Sequence, residues 1–231
     1  MNERENILGR IREALSIPAQ KPSGHDHASA ELPADSTSKG VHPISDWLPF
    51  VGESFEERIA LFRTNSEELT TDFRLVDTVE ELQAQLVAIA KAEGWKRVAT
   101  HAGELADGAC AALGLPVLQT DGGYDVCEME MCDAGISACD ALVAQTGSVL
   151  ITSQSAGGRA LSVLPPHHVV LARREQLVPD LTAAFALLKA KYAPAYPSLI
   201  SFITGPSRTG DIERILVLGA HGPKKLTVLC V

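Results

Sequence analysis

Two glycine-rich stretches hold most of the candidate chemistry in this chain. The first, "QSAGGRALSVLPPHH", covers residues 154–168, and the second, "TGPSRTGDIERILVLGAHGP", covers residues 204–223. Each sets an arginine, Arg159 or Arg208, among glycines and hydroxyls. A planar guanidinium can grip a carboxylate or phosphate with two parallel hydrogen bonds. In the second stretch, Gly205 and Pro206 should turn the chain. Ser207, Arg208 and Thr209 should then open a short helix through Asp211, Ile212 and Glu213. A helix start offers free backbone N–H groups and a dipole that favours an anion. The candidate anion site is therefore Arg159, Gly205, Ser207, Arg208, Thr209 and Glu213. His221 is the candidate catalytic acid or base, because imidazole titrates near neutral pH. A plainer reading stands beside this one. Ser207 or Thr209 caps the helix, Arg159 is a surface residue on a turn, and His221 before Gly-Pro is a turn residue.

Other reactive side chains give weaker patterns. Cys127, Cys132 and Cys139 have the spacing C-x4-C-x6-C, which is not one of the tight spacings of zinc or iron–sulfur ligands. They read as buried or half-buried thiols, and no metal is expected on this chain. His25 and His27 fall in a polar tract and read as solvated. His167 and His168 are adjacent on a strand, so they point to opposite faces; one should be core and the other exposed. Glu128 and Glu130 are the nearest candidates for covalent carboxylate chemistry. There is no nucleophile elbow, phosphate-binding lysine loop, HExxH or dinucleotide fingerprint.

The elements that would position these groups follow from patterning. Residues 1–15 should form an amphipathic helix with Ile7, Leu8, Ile11 and Leu15 on one stripe. Residues 16–45 are rich in Pro, Ser, Ala, Asp and Gly and read as a flexible linker. Residues 46–231 alternate helices and short apolar strands, the mark of an α/β fold with a mixed or parallel sheet and helices on both faces, in three layers. Ser54 and Glu57 make a capping box for the first helix of this domain. Gly94 and Gly114 should end two later helices. Strands are expected at Ala141–Ala144, Ser148–Thr152 and His168–Ala172, with another in "SLISFITG" and a last one in "KKLTVLCV". Ligands in open α/β sheets sit at the carboxyl ends of strands, so both glycine-rich loops are expected there.

Charge narrows the function. The formal net charge is -9 over 231 residues, with a pI near 5.2. Such a chain lacks the basic footprint that nucleic acids or anionic membranes require. No stretch approaches the roughly 18 apolar residues of a spanning helix, and the amino terminus lacks the apolar core of a secretory signal. A cytoplasmic protein without a membrane span is expected.

"AQTGSVLI", "GGRALSVLPPHHVVLARREQLVPDL" and "ITGPSRTGDIERILVLGAHGPKKLTVLCV" together resemble the LUD domain of the lactate-utilisation protein C family (YkgG-like). "ENILGRIREAL" is similar to the start of those proteins. The resemblance implies a fold like that of the NagB/RpiA/CoA-transferase-like group. It also implies a subunit of an L-lactate dehydrogenase-type oxidoreductase complex, turning lactate into pyruvate with two iron–sulfur partner proteins. The clusters would then sit on the partners, and this chain would hold no cofactor, at most a small carboxylate. The alternative is a stand-alone CoA-transferase-like enzyme or a sensor for a small phosphorylated or acyl ligand. A third reading is an assembly protein without a ligand.

Overall fold

The computed structural model describes residues 49–231, apart from 210–216 and 220. The helix expected at 1–15, the linker expected at 16–45 and Glu213 lie outside the described residues.

The chain enters helix α1 (Phe55–Glu68), where the Ser54 side chain accepts from the Glu57 N–H and Glu57 reaches back to the Ser54 N–H. This is the capping box that the sequence implies. Strand β1 (Asp72–Leu75) and helix α2 (Val79–Glu93) follow, then β2 (Val98–Thr100), α3 (Glu104–Leu113) and β3 (Val117–Gln119). Helices α2 and α3 end on Gly94 and Gly114 as expected. A short helix α4 (Val126–Glu130) leads to β4 (Ala134–Ala138), and the rest is mainly strand. These later strands are β5 (Ala141–Val143), β6 (Ser148–Thr152), β7 (His167–Ala172), β8 (Leu177–Val178), β9 (Ile200–Ile203), β10 (Arg208–Thr209), β11 (Val217–Leu218) and β12 (Lys225–Cys230). Helix α5 (Leu181–Tyr192) lies between β8 and β9, with Asp180 as its cap.

Six strands form one sheet in the order β1-β12-β7-β4-β2-β3, every pair parallel. A second sheet, β8-β5-β6-β9, pairs β5 with β8 in parallel and is otherwise antiparallel. A parallel sheet must be covered on both faces. On one face, Leu82, Leu86 and Ile89 of α2 and Ala106 and Ala109 of α3 pack on Val98, Ile136, Val169 and Leu229. On the other, Ile59 and Phe62 of α1, with Leu142, Val149 and Ile151 of the second sheet, pack on Val170, Val228 and Cys230. The outer side of the second sheet carries Ala184, Leu188 and Tyr192 of α5. The α/β layering matches the sequence expectation. Truncating Leu82 or Leu86, both fully buried, to alanine should cost about 2–5 kcal/mol.

Coverage of both faces corrects the expectation that one of His167 and His168 would be exposed, because both are buried. The His167 ring meets Trp95 edge-on and its Nε2 lies 2.9 Å from Thr227 Oγ1. His168 Nε2 lies 2.8 Å from Ser137 Oγ on the other face. Burial depresses both imidazoles, His167 to about 4 and His168 to about 3.

A buried polar knot fastens α5 to the end of β4. Asp140 Oδ1 accepts from Lys191 Nζ and from the Tyr192 hydroxyl, each at 2.6 Å, and Thr152 Oγ1 lies 3.2 Å from that hydroxyl. Burial by itself would raise the Asp140 carboxyl. The hydrogen bonds from Lys191 and Tyr192 outweigh it and hold the group below its ordinary value.

Candidate functional site

The two glycine-rich stretches meet. Arg159 and Ser162 come from the loop between β6 and β7, Ser201 and Ile203 from β9, Gly205 and Ser207 from the turn after β9, and His221 and Gly222 from the approach to β12. Together they line an open cleft of about 230 Å³. Local contacts hold its walls. Arg159 Nη2 donates to the Ser198 carbonyl at 3.0 Å, and the Ser198 hydroxyl donates to Ser153 Oγ at 3.3 Å. The Ser207 N–H donates to the Pro223 carbonyl, and the Ser207 carbonyl accepts from Gly219 N–H, both at 2.9 Å. The cleft thus offers one guanidinium, three serine side chains and one exposed imidazole. That set can hold a small carboxylate and exchange a proton with it.

Its position differs from the expectation. Pro166 directly precedes β7 and Pro223 comes just before β12, and Lys224 N–H donates to the Pro166 carbonyl at 2.8 Å. The cleft therefore lies by the amino ends of these parallel strands, at the carboxyl end of β9. The carboxyl ends of β2, β4 and β7 surround a different crevice of about 190 Å³, lined by His101, Glu104, Ala138, Arg173 and Gln176. There Arg173 Nη2 pairs with Glu104 Oε2 at 2.8 Å. His101 is locked across the floor, donating from Nδ1 to the Ala102 carbonyl at 2.9 Å and accepting at Nε2 from Ala138 N–H at 3.1 Å. Sequence reading passed over this crevice, although His101 directly follows a short apolar strand.

Arg208 and Thr209 do not line the cleft. The expected helix start at Ser207–Thr209 is replaced by β10, which pairs antiparallel with β11, Arg208 opposite Leu218 and Thr209 opposite Val217. That pairing occupies the backbone groups that a helix start would have left for an anion. The Arg208 guanidinium turns to the end of α1, where Nη2 donates to the Leu69 carbonyl and, at 2.8 Å, to Thr70 Oγ1. A cation there complements the helix dipole. Gly205 serves the same joint: its φ is +92°, and a Cβ would lie 2.7 Å from the Leu69 carbonyl oxygen.

The first glycine of the pair in the first stretch also has a packing cause. Gly157 has φ +61°, and a Cβ on it would lie 2.2 Å from His101 Cβ and 2.7 Å from Thr120 Oγ1. Only a residue without a side chain lets this turn close over His101.

The remaining candidates lie apart. Glu128 pairs with Arg97 at 3.2 Å on the surface. Glu130 lines a neighbouring cleft together with His221 and Lys224. Cys127 is exposed, while Cys132 and Cys139 are buried, and burial pushes both buried thiols up. Among the described residues, no group of three His, Cys, Asp or Glu could hold a metal ion. Also among the described residues, no helix is long and apolar enough to cross a membrane.

Comparison with known proteins places this architecture. The family model of the LUD domain matches residues 127–231. Lactate utilization protein C of Bacillus licheniformis is 34% identical over 112 residues, covering 48% of this chain and 47% of that protein. Lactate utilization protein C of Geobacillus thermodenitrificans is 27% identical over 207 residues, covering 80% and 82%. The chain thus spans about half the length of the first of these relatives. A crystal structure of a DUF162 family protein from Deinococcus radiodurans shares the fold, with a TM-score of 0.59 at 23% identity, over 78% of this chain and 99% of that one. Residues 127–231 match the LUD domain, in a chain similar to the lactate utilization protein C proteins, as the sequence motifs imply.

Proposed function

We propose that this protein serves in lactate utilisation as the acid-binding subunit of a system that oxidises L-lactate to pyruvate. The observation that carries the reading is the meeting of Arg159, Ser207 and His221 at one cleft, in a chain whose relatives are named for lactate utilisation. Arg159 holds the carboxylate, and the serine hydroxyls beside it complete its hydrogen bonds. The oxidation takes two electrons and two protons from lactate. His221 accepts the proton of the 2-hydroxyl. The electrons and the second proton leave to a redox group outside this chain, which we assign to two iron–sulfur partner proteins. The cysteines of this chain are ill suited to that role: four of the five are buried thiols, and no metal-holding group occurs among the described residues.

A charge-assisted contact of this kind is worth about 1.5–3 kcal/mol, or roughly ten- to a hundredfold in affinity. Calorimetric titration of the purified full chain with L-lactate and with pyruvate tests the site. Binding that weakens at least tenfold in Arg159→Ala is the expected result. A mutant that binds lactate like the wild type sinks the site.

A further inference from the structure

The cleft that holds Arg159 does not end at its own rim. It shares Val163, His221 and Gly222 with a second, larger cleft of about 580 Å³. The wall of the second cleft next to Val163 is apolar, formed by Leu164 and Pro166, and charge returns with Glu130 and Lys224. Val163 is 43% exposed, an apolar side chain standing at the junction. An acid held by Arg159 with its hydroxyl at His221 therefore has its C2 substituent beside an apolar strip leading into open volume. A site shaped for lactate alone would close after one methyl group. We infer that this site takes 2-hydroxy acids with longer aliphatic side chains, the tail lying along Val163, Leu164 and Pro166.

This inference rests on the carboxylate reading of the cleft and deepens it. Each methylene moved from water onto an apolar wall should tighten binding by about three- to fourfold, as far as the strip extends. The experiment is a calorimetric series on the full chain with L-lactate, L-2-hydroxybutyrate and L-2-hydroxyhexanoate, repeated on Val163→Asn. The expected result is affinity rising along the series in the wild type and a flattened series in Val163→Asn. The ratio between acids is the readout, so a general weakening of the mutant does not mimic the effect. Lactate binding with no gain for the longer acids overturns the tail subsite and leaves the carboxylate site standing. Failure of all three acids to bind overturns both.

Discussion

Arg208 binds the end of helix α1: its guanidinium donates to Thr70 Oγ1 at 2.8 Å and to the neighbouring Leu69 carbonyl. The most conspicuous charged residue of the "GPSRTG" motif is therefore a joint between the β9–β10 turn and the first helix of the domain. Arg208→Ala should lower stability by about 1 kcal/mol, and the mutant should bind small acids as well as the wild type does. Urea unfolding alongside a lactate titration checks both. A mutant of normal stability that loses acid binding would return Arg208 to the site.

Gly157→Ala should be far more costly. Its Cβ would need space that His101 and Thr120 already fill, at a φ of +61° that disfavours a side chain. A loss of roughly 2–4 kcal/mol, or failure to fold, is expected. Gly158→Ala is the control: its φ of +113° is also strained, but a Cβ there meets open space. The difference between the two mutants in thermal unfolding isolates the clash with His101.

Acid should destabilise the fold through the paired histidines. Burial holds His167 at about 4 and His168 at about 3, against 6.5 when unfolded. Above pH 6.5 both states leave the rings neutral, so stability there is independent of them. Below pH 6.5 the unfolded chain takes up protons that the native one refuses. Each ring then removes about 1.4 kcal/mol per pH unit until its native value is reached. Urea midpoints between pH 7.5 and 4.5 should fall steadily below about 6.5, and less steeply in His168→Gln.

The Asp140 knot supplies a second acid-sensitive element with a lower onset. The Asp140 carboxyl is held below its ordinary value, so its contribution is present above that ordinary value and is lost as pH falls further. Asp140→Ala would leave the Tyr192 hydroxyl without its 2.6 Å acceptor and Lys191 without its counter-ion. A loss of about 1.5–3 kcal/mol is expected, the worth of hydrogen bonds to a charged group, and Tyr192→Phe should lose about 1 kcal/mol. Guanidinium unfolding of both mutants measures these differences.

The early helices and strands were legible because their signals are local. Ser54 and Glu57 cap α1, and Gly94 and Gly114 close α2 and α3. The division of the later strands between two sheets was not legible, because β12 pairs with β1 and β7 across long separations and nothing near β12 announces either partner. The same distance hid the burial of His168, which depends on α1 and the second sheet covering the face that it shares with Val170. The meeting of Arg159, Ser207 and His221 could be guessed from two similar loops. The role of Arg208 could not, because its partners, Leu69 and Thr70, lie in an unrelated stretch of sequence. A two-residue strand such as β10 also carries too little pattern to be told from a helix start.

The central claim is that this chain holds the acid while iron–sulfur partners take the electrons. Affinity purification of the full chain from cells grown on lactate tests it most directly, with mass spectrometry, iron and sulfide analysis, and lactate-dependent dye reduction on the material recovered. The account predicts two cysteine-rich iron–sulfur proteins in the eluate, and dye reduction that falls sharply when the chain carries Arg159→Ala. Recovery of the chain by itself, or dye reduction unchanged by that mutation, would contradict it.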